Sequence, residues 1–586
     1  MRFRRFILWT CAAPALALSA NGAAAAGAPP TFSRDVAPIL FGHCVNCHRD
    51  GEIGAAVSLV SYAAARRWAR SIKRAARTRA MPPWPADPAH SVKFRNETRL
   101  TTQDIDTLAA WADAGAPRGN DADLPPLPSA ANKWLHPQGR KPDAVLTLPE
   151  VSVAASGEIP YVQQRVKVPL TEDKWIVAMQ VRSGNNALVH HMGITEVTLA
   201  DQVRPEDLDA LATLARQMGI ADDALVHIRP AVTDPSSPGA YDMLGVYTPG
   251  TTFEMYGNDG AKLLKGGNNL YINFNIHYTT TGKVERNHSE LALWFQSTPP
   301  KHQLFRAPSA VATILANGRE LLSDDPGTKA EGTDVAIPPI PPYAENYELI
   351  GVTAFTAPMT IYQFQPHAHM RGKDFKYAVV YPDGRETTVL TVPRYDFHWQ
   401  LAYDLETPLR LPAGSKLVVT AHYDNSSKNS HLKEAGVDPR NCGPDKQAYF
   451  RRQNQSWHEM FSPLIQYSVD TADPSPSLQR PAAFPVVQAV GCLIPGPTSA
   501  WRLTGASGPQ AADMQSTSSA ARRAAAQIPF GHRSYDLLGT GVFAPGRHRS
   551  QKVAVKGVLI EDGAGSRLNV TSLQTVGGTC PDGHAT

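Results

Sequence analysis

A second C-x-x-C pair, an excess of charge of one sign and long apolar runs are all missing from this chain. It has only six cysteines in 586 residues, and a single C-x-x-C argues against a zinc site built from two such pairs. Lys and Arg (57) nearly balance Asp and Glu (53), so no nucleic acid or other polyanionic partner is implied. Beyond the N-terminus no uncharged apolar stretch approaches the ~20 residues of a spanning helix. Long helices are disfavoured as well, because 49 prolines and 43 glycines favour short strands and turns. The composition therefore predicts a mainly β body, and the length predicts roughly three or four domains of about 100–200 residues each.

The N-terminus reads as a secretory signal over residues 1–26. Arg2, Arg4 and Arg5 precede the apolar run FILWTCAAPALALSA, and the small-residue stretch NGAAAAGAPP offers cleavage near Ala26. An anchor made by the same segment is the alternative, but the run is short for a membrane span. These three arginines carry most of the net charge of +4, so the exported chain is close to neutral. A periplasmic or secreted location, with no membrane span after cleavage, is expected.

The segment FGHCVNCHRDG places Cys44, Cys47 and His48 as C-x-x-C-H. In that arrangement two thiols attach the haem vinyl groups and the adjoining imidazole ligates iron. A redox disulfide would leave His48 unexplained. Met81, held by Pro82 and Pro83 in RTRAMPPWPAD, is the expected sixth ligand, with Trp84 available to cover the haem edge and His90 as a competing ligand. LTTQDIDTLAAWADAGAP reads as a helix with a Thr101/Asp104 capping box, an apolar face of Ile105, Leu108, Ala109 and Ala112, and a stop at Gly115 and Pro117. Residues 30–120 resemble a class I c-type cytochrome of the kind fused to periplasmic enzymes, and 121–140 read as a linker.

Four histidine-bearing segments follow. LVHHMG holds His190 and His191; NLYINFNIHYTTTG holds His277; QFQPHAHMRG holds His367 and His369; QNQSWHEMF holds His458 and Met460. On a strand, Leu270, Ile272, Phe274 and Ile276 form one face, with Tyr271, Asn273, Asn275 and His277 opposite. The same alternation, applied to Gln363–Gly372, sets His367 and His369 side by side. Adjacent His190 and His191 would diverge on a regular strand, so joint binding of one ion requires a twisted or terminal position and different ring nitrogens. Imidazoles suit several transition metals, while a thioether favours cuprous copper, so a His-His-Met group points to copper that cycles through Cu(I). A structural zinc site is the weaker reading, because Met is a poor zinc ligand.

The order HH, lone His in an HYT-like strand, H-x-H, then Met resembles the type II copper monooxygenases, the family of peptidylglycine α-hydroxylating monooxygenase and dopamine β-monooxygenase. The resemblance covers about residues 140–475. It implies two consecutive jelly-roll-type β-sandwiches, residues 141–300 and 301–480. The first would supply His190, His191 and His277 to an electron-transfer copper, and the second His367, His369 and Met460 to the copper where oxygen reacts. LGVYTPGT, YDFHWQ and LPAGSKLVVTAHYDNS fit antiparallel strands of these halves. His422 and His458 are expected to support the fold or the ligands from behind. Two departures stand out: RPEDLDALATLARQMGI, with helical spacing after Pro205, and NCGPDKQAYFRRQ before Met460.

From 481 onward short alternating strands predict a small β-barrel, broken by the loop QAADMQSTSSAARRAAAQ. Cys492 and Cys580, at its two ends, are expected to pair in an oxidising compartment, which leaves Cys442 over. Together these readings predict a monooxygenase with one covalent haem c and two copper ions. Its partners would be O2, an organic substrate and a periplasmic electron donor to the haem. A copper-binding electron-transfer protein without oxygenase activity is the alternative.

Overall fold

Period-two alternation is realised in the strand Leu270–Tyr278, where Leu270, Ile272, Phe274 and Ile276 are buried and Tyr271, Asn273 and Asn275 are half-buried. This computed structural model describes residues 28–581 except 129–133, 158, 200–225, 229–241, 251–252, 258, 268–269, 326–336, 439–455, 458, 471–483, 498–499, 515 and 564. The leader, the 204–220 stretch, Cys442 and His458 lie outside the described residues. The chain is mainly β.

Strand Leu270–Tyr278 pairs antiparallel with Val162–Lys167 on one side and Val189–Leu199 on the other. A second sheet runs Ala144–Thr147, Glu290–Gln296, Lys174–Arg182, Gly260–Leu264. The two share one core that includes Ile176, Ile194, Phe274 and Leu291. A second pair of sheets follows. One is Phe305–Pro308, Leu464–Val469, Met359–Gln365, Tyr403–Leu411; the other is Ala312–Leu315, Tyr347–Ala354, Lys416–Tyr423, Gly372–Val380, Glu386–Val392. Their core includes Phe364, Tyr377, Val419 and Tyr467.

A buried polar network joins the two layered units. Arg306 donates to Glu254 Oε1 (2.5 Å) and Oε2 (3.2 Å) and to Gln363 Oε1 (2.8 Å). Its backbone N–H donates to Asp242, which also pairs with fully buried Lys262 at 2.7 Å. Each buried charge has an opposite partner, which is the condition under which such groups are tolerated.

At the C-terminal end, strands Val486–Pro495, Trp501–Ala506, Arg533–Leu538, Gly565–Thr579 and Gln551–Asp562 pair in a closed ring. Cys492 and Cys580 are bonded, Cα to Cα 5.9 Å. The ring packs on the sheet containing Lys416–Tyr423 through Val352, Val380, Val418 and Val555. The Ala/Ser-rich segment expected as a loop contains instead a helix, Ser519–Ala526, capped by the Ser518 hydroxyl. Five alanines at good helix propensity outweigh the low complexity there.

The N-terminal part is helical: Ala37–His43, Tyr62–Arg67, Ala69–Arg77 and Thr102–Asp113 surround Phe32, Leu40, Leu108 and Trp111. The last helix carries the Thr101/Asp104 capping box, and Gly115 follows it at φ +82°. Its buried face includes Trp111, with Ala112 only half-buried. A strap after residue 83 ties this part to the second layered unit. Asp87 N–H donates to Thr391 O (2.8 Å), Val92 N–H to Val389 O (3.1 Å) and Arg95 N–H to Asp404 O (2.9 Å). Trp84 does not cover the C-x-x-C-H region as expected; it is buried with Phe94 and Tyr403 in the second core, ring centroids 6.0 and 5.1 Å away. The strap leads the indole away from the helices and into that core.

Candidate metal centres

The first histidine group depends on a bulge. Along Val189–Leu199 the register pairs His191 with His277 and Val189 with Tyr278, so His190 is an extra residue in its strand. A bulge turns adjacent side chains toward the same side, which resolves the divergence expected of a regular strand. The three histidines each present a ring nitrogen within 4.8 Å of the others, and all are buried. The Nδ1 atoms of His190 and His191 lie 3.0 Å apart, and His277 Nε2 lies 3.0 Å from the Ser456 hydroxyl. His277 Nδ1 is buried without a hydrogen-bond partner. Burial depresses all three imidazoles, His190 to about 3 and His191 and His277 well below their ordinary value, with neighbouring histidines adding to the effect. Clustered neutral imidazoles with an orphaned buried nitrogen fit a metal ion.

The second group forms at a strand end. Strand Met359–Gln365 stops before Pro366, so His367 and His369 stand in the turn beyond it and not on a strand as expected. Pro366 has no N–H to continue a ladder. The two rings are nonetheless neighbours, centroids 5.3 Å apart. His367 Nε2 lies 3.1 Å from Met460 Sδ. On the other side of the ring, His367 Nδ1 donates to Gln400 Oε1 at 2.6 Å, which leaves Nε2 unprotonated and able to ligate a metal. Burial lowers His367 to about 4.

Glu459, fully buried, holds the turn and the methionine together. It accepts the backbone N–H of His369 (2.5 Å), Met460 (2.9 Å) and Arg371 (2.9 Å). Burial pushes its carboxyl up to about 7, against the nearby Arg371 charge. The two histidine groups adjoin, with the rings of His191 and His367 6.0 Å apart.

The segment Tyr395–Gln400, expected as strand, is a loop that reaches every candidate centre. Phe397 stacks on His190, centroids 5.0 Å apart; His398 Nδ1 lies 3.2 Å from His190 Nε2; Gln400 bonds His367 and lies 3.4 Å from His191 Nδ1. Trp399 lines the third centre. These residues and Glu459 were not among the expected site residues. His422 instead pairs with Asp374 (2.6 Å) and Glu348 (3.2 Å), which raise its pKa.

That third centre is an apolar cleft of about 850 Å³, its open mouth included, walled by Leu40, Leu59, Ile72, Leu100 and Leu108 and holding Cys44, Cys47, His48 and Met81. His48 Nδ1 lies 3.0 Å from Val57 O, which leaves Nε2 for the cleft. Gly54 is required beside it, since a Cβ there would come within 2.7 Å of His48 Nδ1. Burial pushes Cys44 up to about 12 and Cys47 to about 11, the reverse of the lowered values of reactive C-x-x-C thiols. Two thiols, an imidazole, a thioether and apolar walls fit a covalent haem. His90 is exposed and paired with Asp87 at 2.7 Å; it does not line the cleft.

Residues 333–438 match the family model "Copper type II ascorbate-dependent monooxygenase, C-terminal domain", a stretch that holds His367, His369 and the 395–400 loop. The match supports a copper-dependent monooxygenase of that family in general. No curated protein matches the chain. Among solved structures it is similar to the allantoicase of Saccharomyces cerevisiae (10% identity, 47% of this chain and 80% of that one, TM-score 0.13). A second allantoicase structure has 9% identity, 47% and 78% coverage and a TM-score of 0.12. Likenesses of that size carry no argument. Among the described residues no helix is long and apolar enough to cross a membrane.

Proposed function

We propose that this chain is an exported copper- and haem-dependent monooxygenase that hydroxylates a C–H bond of an organic substrate. The balance is R–H + O2 + 2 e⁻ + 2 H⁺ giving R–OH + H2O. Cys44, Cys47, His48 and Met81 would hold a haem, which would supply electrons one at a time. One copper would be held by His190, His191 and His277 and the other by His367, His369 and Met460. When bound, the coppers supply one-electron redox chemistry toward O2 and the haem supplies the electrons.

The observation that carries this reading is the Phe397–Gln400 loop. Trp399 lines the Cys44/Cys47 cleft, and its chain neighbours His398 and Gln400 touch His190 and His367. One short peptide thus connects the haem cleft to both ligand groups. Around it, Glu459 orients the turn, Gln400 sets the His367 tautomer, and burial keeps the imidazoles neutral for metal binding. The class I cytochrome character of the helical part and the jelly-roll character of the two sandwiches, residues 141–300 and 301–480, belong to the same proposal, as does periplasmic delivery of electrons to the haem.

The test is turnover under labelled dioxygen with the copper- and haem-loaded chain, a protein donor and a panel of organic substrates. One labelled oxygen atom in a product supports the proposal. Electron transfer without any labelled product across the panel favours the copper electron-transfer reading.

A further inference from the structure

Next to His190, on the outer side of the same loop, another group of imidazole and carboxylate side chains faces solvent. Asp396, His398 and His431 each present a donor atom within 4.8 Å of the others. The rings of His398 and His431 are 4.8 Å apart. Glu434 completes the group, its Oε2 3.4 Å from His398 Nε2 and 4.0 Å from His431 Nδ1, and His431 Nε2 is 3.4 Å from Asp396 Oδ1. We propose that Asp396, His398, His431 and Glu434 form a further metal site, distinct from the three centres above, for a borderline divalent cation such as Zn²⁺ or Cu²⁺.

Three features separate this group from an ordinary surface ion-pair cluster. The first is support. Asn429 caps the short helix Ser430–Glu434 by accepting the His431 N–H (2.9 Å), while its own amide donates to Met370 O (3.0 Å) and Asp424 O (2.7 Å). Leu432 is buried against Met370 and Phe397, and the Asp396 carboxylate accepts the His398 N–H at 2.9 Å. Both donor-bearing segments are therefore anchored from behind. The second is an orphaned atom: His431 Nδ1 is buried and has no hydrogen-bond partner, a condition that a bound cation would relieve. The third is the donor set, two imidazoles and two carboxylates without sulfur, which suits a borderline divalent ion and not Cu(I).

His398 gives the site a link to the rest of the molecule. Its Nε2 faces Glu434 while its Nδ1 faces His190, so one imidazole stands between the solvent-facing group and the buried one. A cation held on Nε2 fixes the ring that abuts His190.

The experiment titrates the full-length chain with Zn²⁺ alone, after copper loading, against a chromophoric chelator, and counts bound zinc and retained copper by elemental analysis. The parent is expected to bind one more equivalent of Zn²⁺ than the His431→Ala/Glu434→Gln variant. Glu434→Gln alone, at an exposed position, should lower that affinity at least about tenfold. The readout is the difference between parent and variant, so it stands whatever the copper count proves to be. A parent that binds no additional zinc, or variants that bind it with the parent's stoichiometry and affinity, would overturn the proposal.

Discussion

Replacing Gln400 by leucine isolates the hydrogen bond that sets the His367 tautomer. Gln400 Oε1 accepts from His367 Nδ1 at 2.6 Å, and its amide donates to Phe397 O at 3.1 Å. The glutamine is almost fully buried, so water cannot take its place. In the variant the His367 N–H loses its acceptor, at a cost of about 1–3 kcal/mol. The ring can escape that cost by exchanging the proton to Nε2 or by rotating, and either change spoils the nitrogen that faces Met460 Sδ. Outer partners of this kind are worth about 10–100-fold in metal affinity, which is about 1.4–2.7 kcal/mol. Competition titration of Cu(I), with X-ray absorption to follow the copper–sulfur contact, reads the two centres separately. The centre with the sulfur ligand should weaken by at least about tenfold, and the three-histidine centre should change much less, because its contact with Gln400 is 3.4 Å long. Unchanged affinity at the sulfur-containing centre, or an equal loss at both, would mean that Gln400 does not set the His367 tautomer for metal binding.

Other outcomes follow from the same structure. Arg306→Leu takes the guanidinium from Glu254 in the junction between the two layered units and leaves that carboxylate only the Gln466 amide, while Asp242 keeps Lys262 and the backbone N–H of position 306. The loss should be about 3 kcal/mol, and a urea midpoint that matches the parent would count against a structural role for that network. Metal-free protein should lose stability on acidification. His190, His191, His277 and His367 have folded-state pKa values far below the ordinary 6.5, so the unfolded chain takes up protons that the folded one refuses as pH falls through 6.5 toward 4. Glu459, raised to about 7, acts in the opposite direction between about 4.5 and 7, as does His422, whose pKa Asp374 and Glu348 raise, but these are fewer groups than the four buried histidines. Urea midpoints at pH 5 and pH 7 check the sign, and equal midpoints or a higher one at pH 5 contradict it. Met460→His should leave copper bound but abolish most turnover, since it exchanges a soft ligand for a harder one; full turnover would make Met460 a packing residue.

Much of the site could be read from local pattern. Alternation located the His277 strand and its buried face, and the capping box located the helix from Thr102 to Asp113. Local pattern also misled. YDFHWQ has the composition of a strand, yet it is a loop whose Phe397, His398, Trp399 and Gln400 contact groups from three parts of the chain. A cluster of aromatic and imidazole side chains with Gln was the available signal. Trp84 is three residues from Met81 in sequence but buried in another core, because the strap carries it there. Glu459 adjoins Met460 in sequence, and only the folded turn of His367–Arg371 shows what its carboxylate is for. The bulge at His190 is likewise a property of strand pairing, invisible in the one strand.

If the proposed function holds, electrons delivered to the haem reach both coppers through this fold. The direct measurement is anaerobic electron paramagnetic resonance of the oxidised, copper-loaded chain after a protein donor reduces it in substoichiometric steps. The account predicts that Cu(II) signal disappears as electrons enter through the haem, and that the Cys44→Ala/Cys47→Ala variant, shown to retain its copper, keeps that signal under the same donor while a small reductant still removes it. Copper reduced by the protein donor equally fast in the haem-free variant would contradict the account.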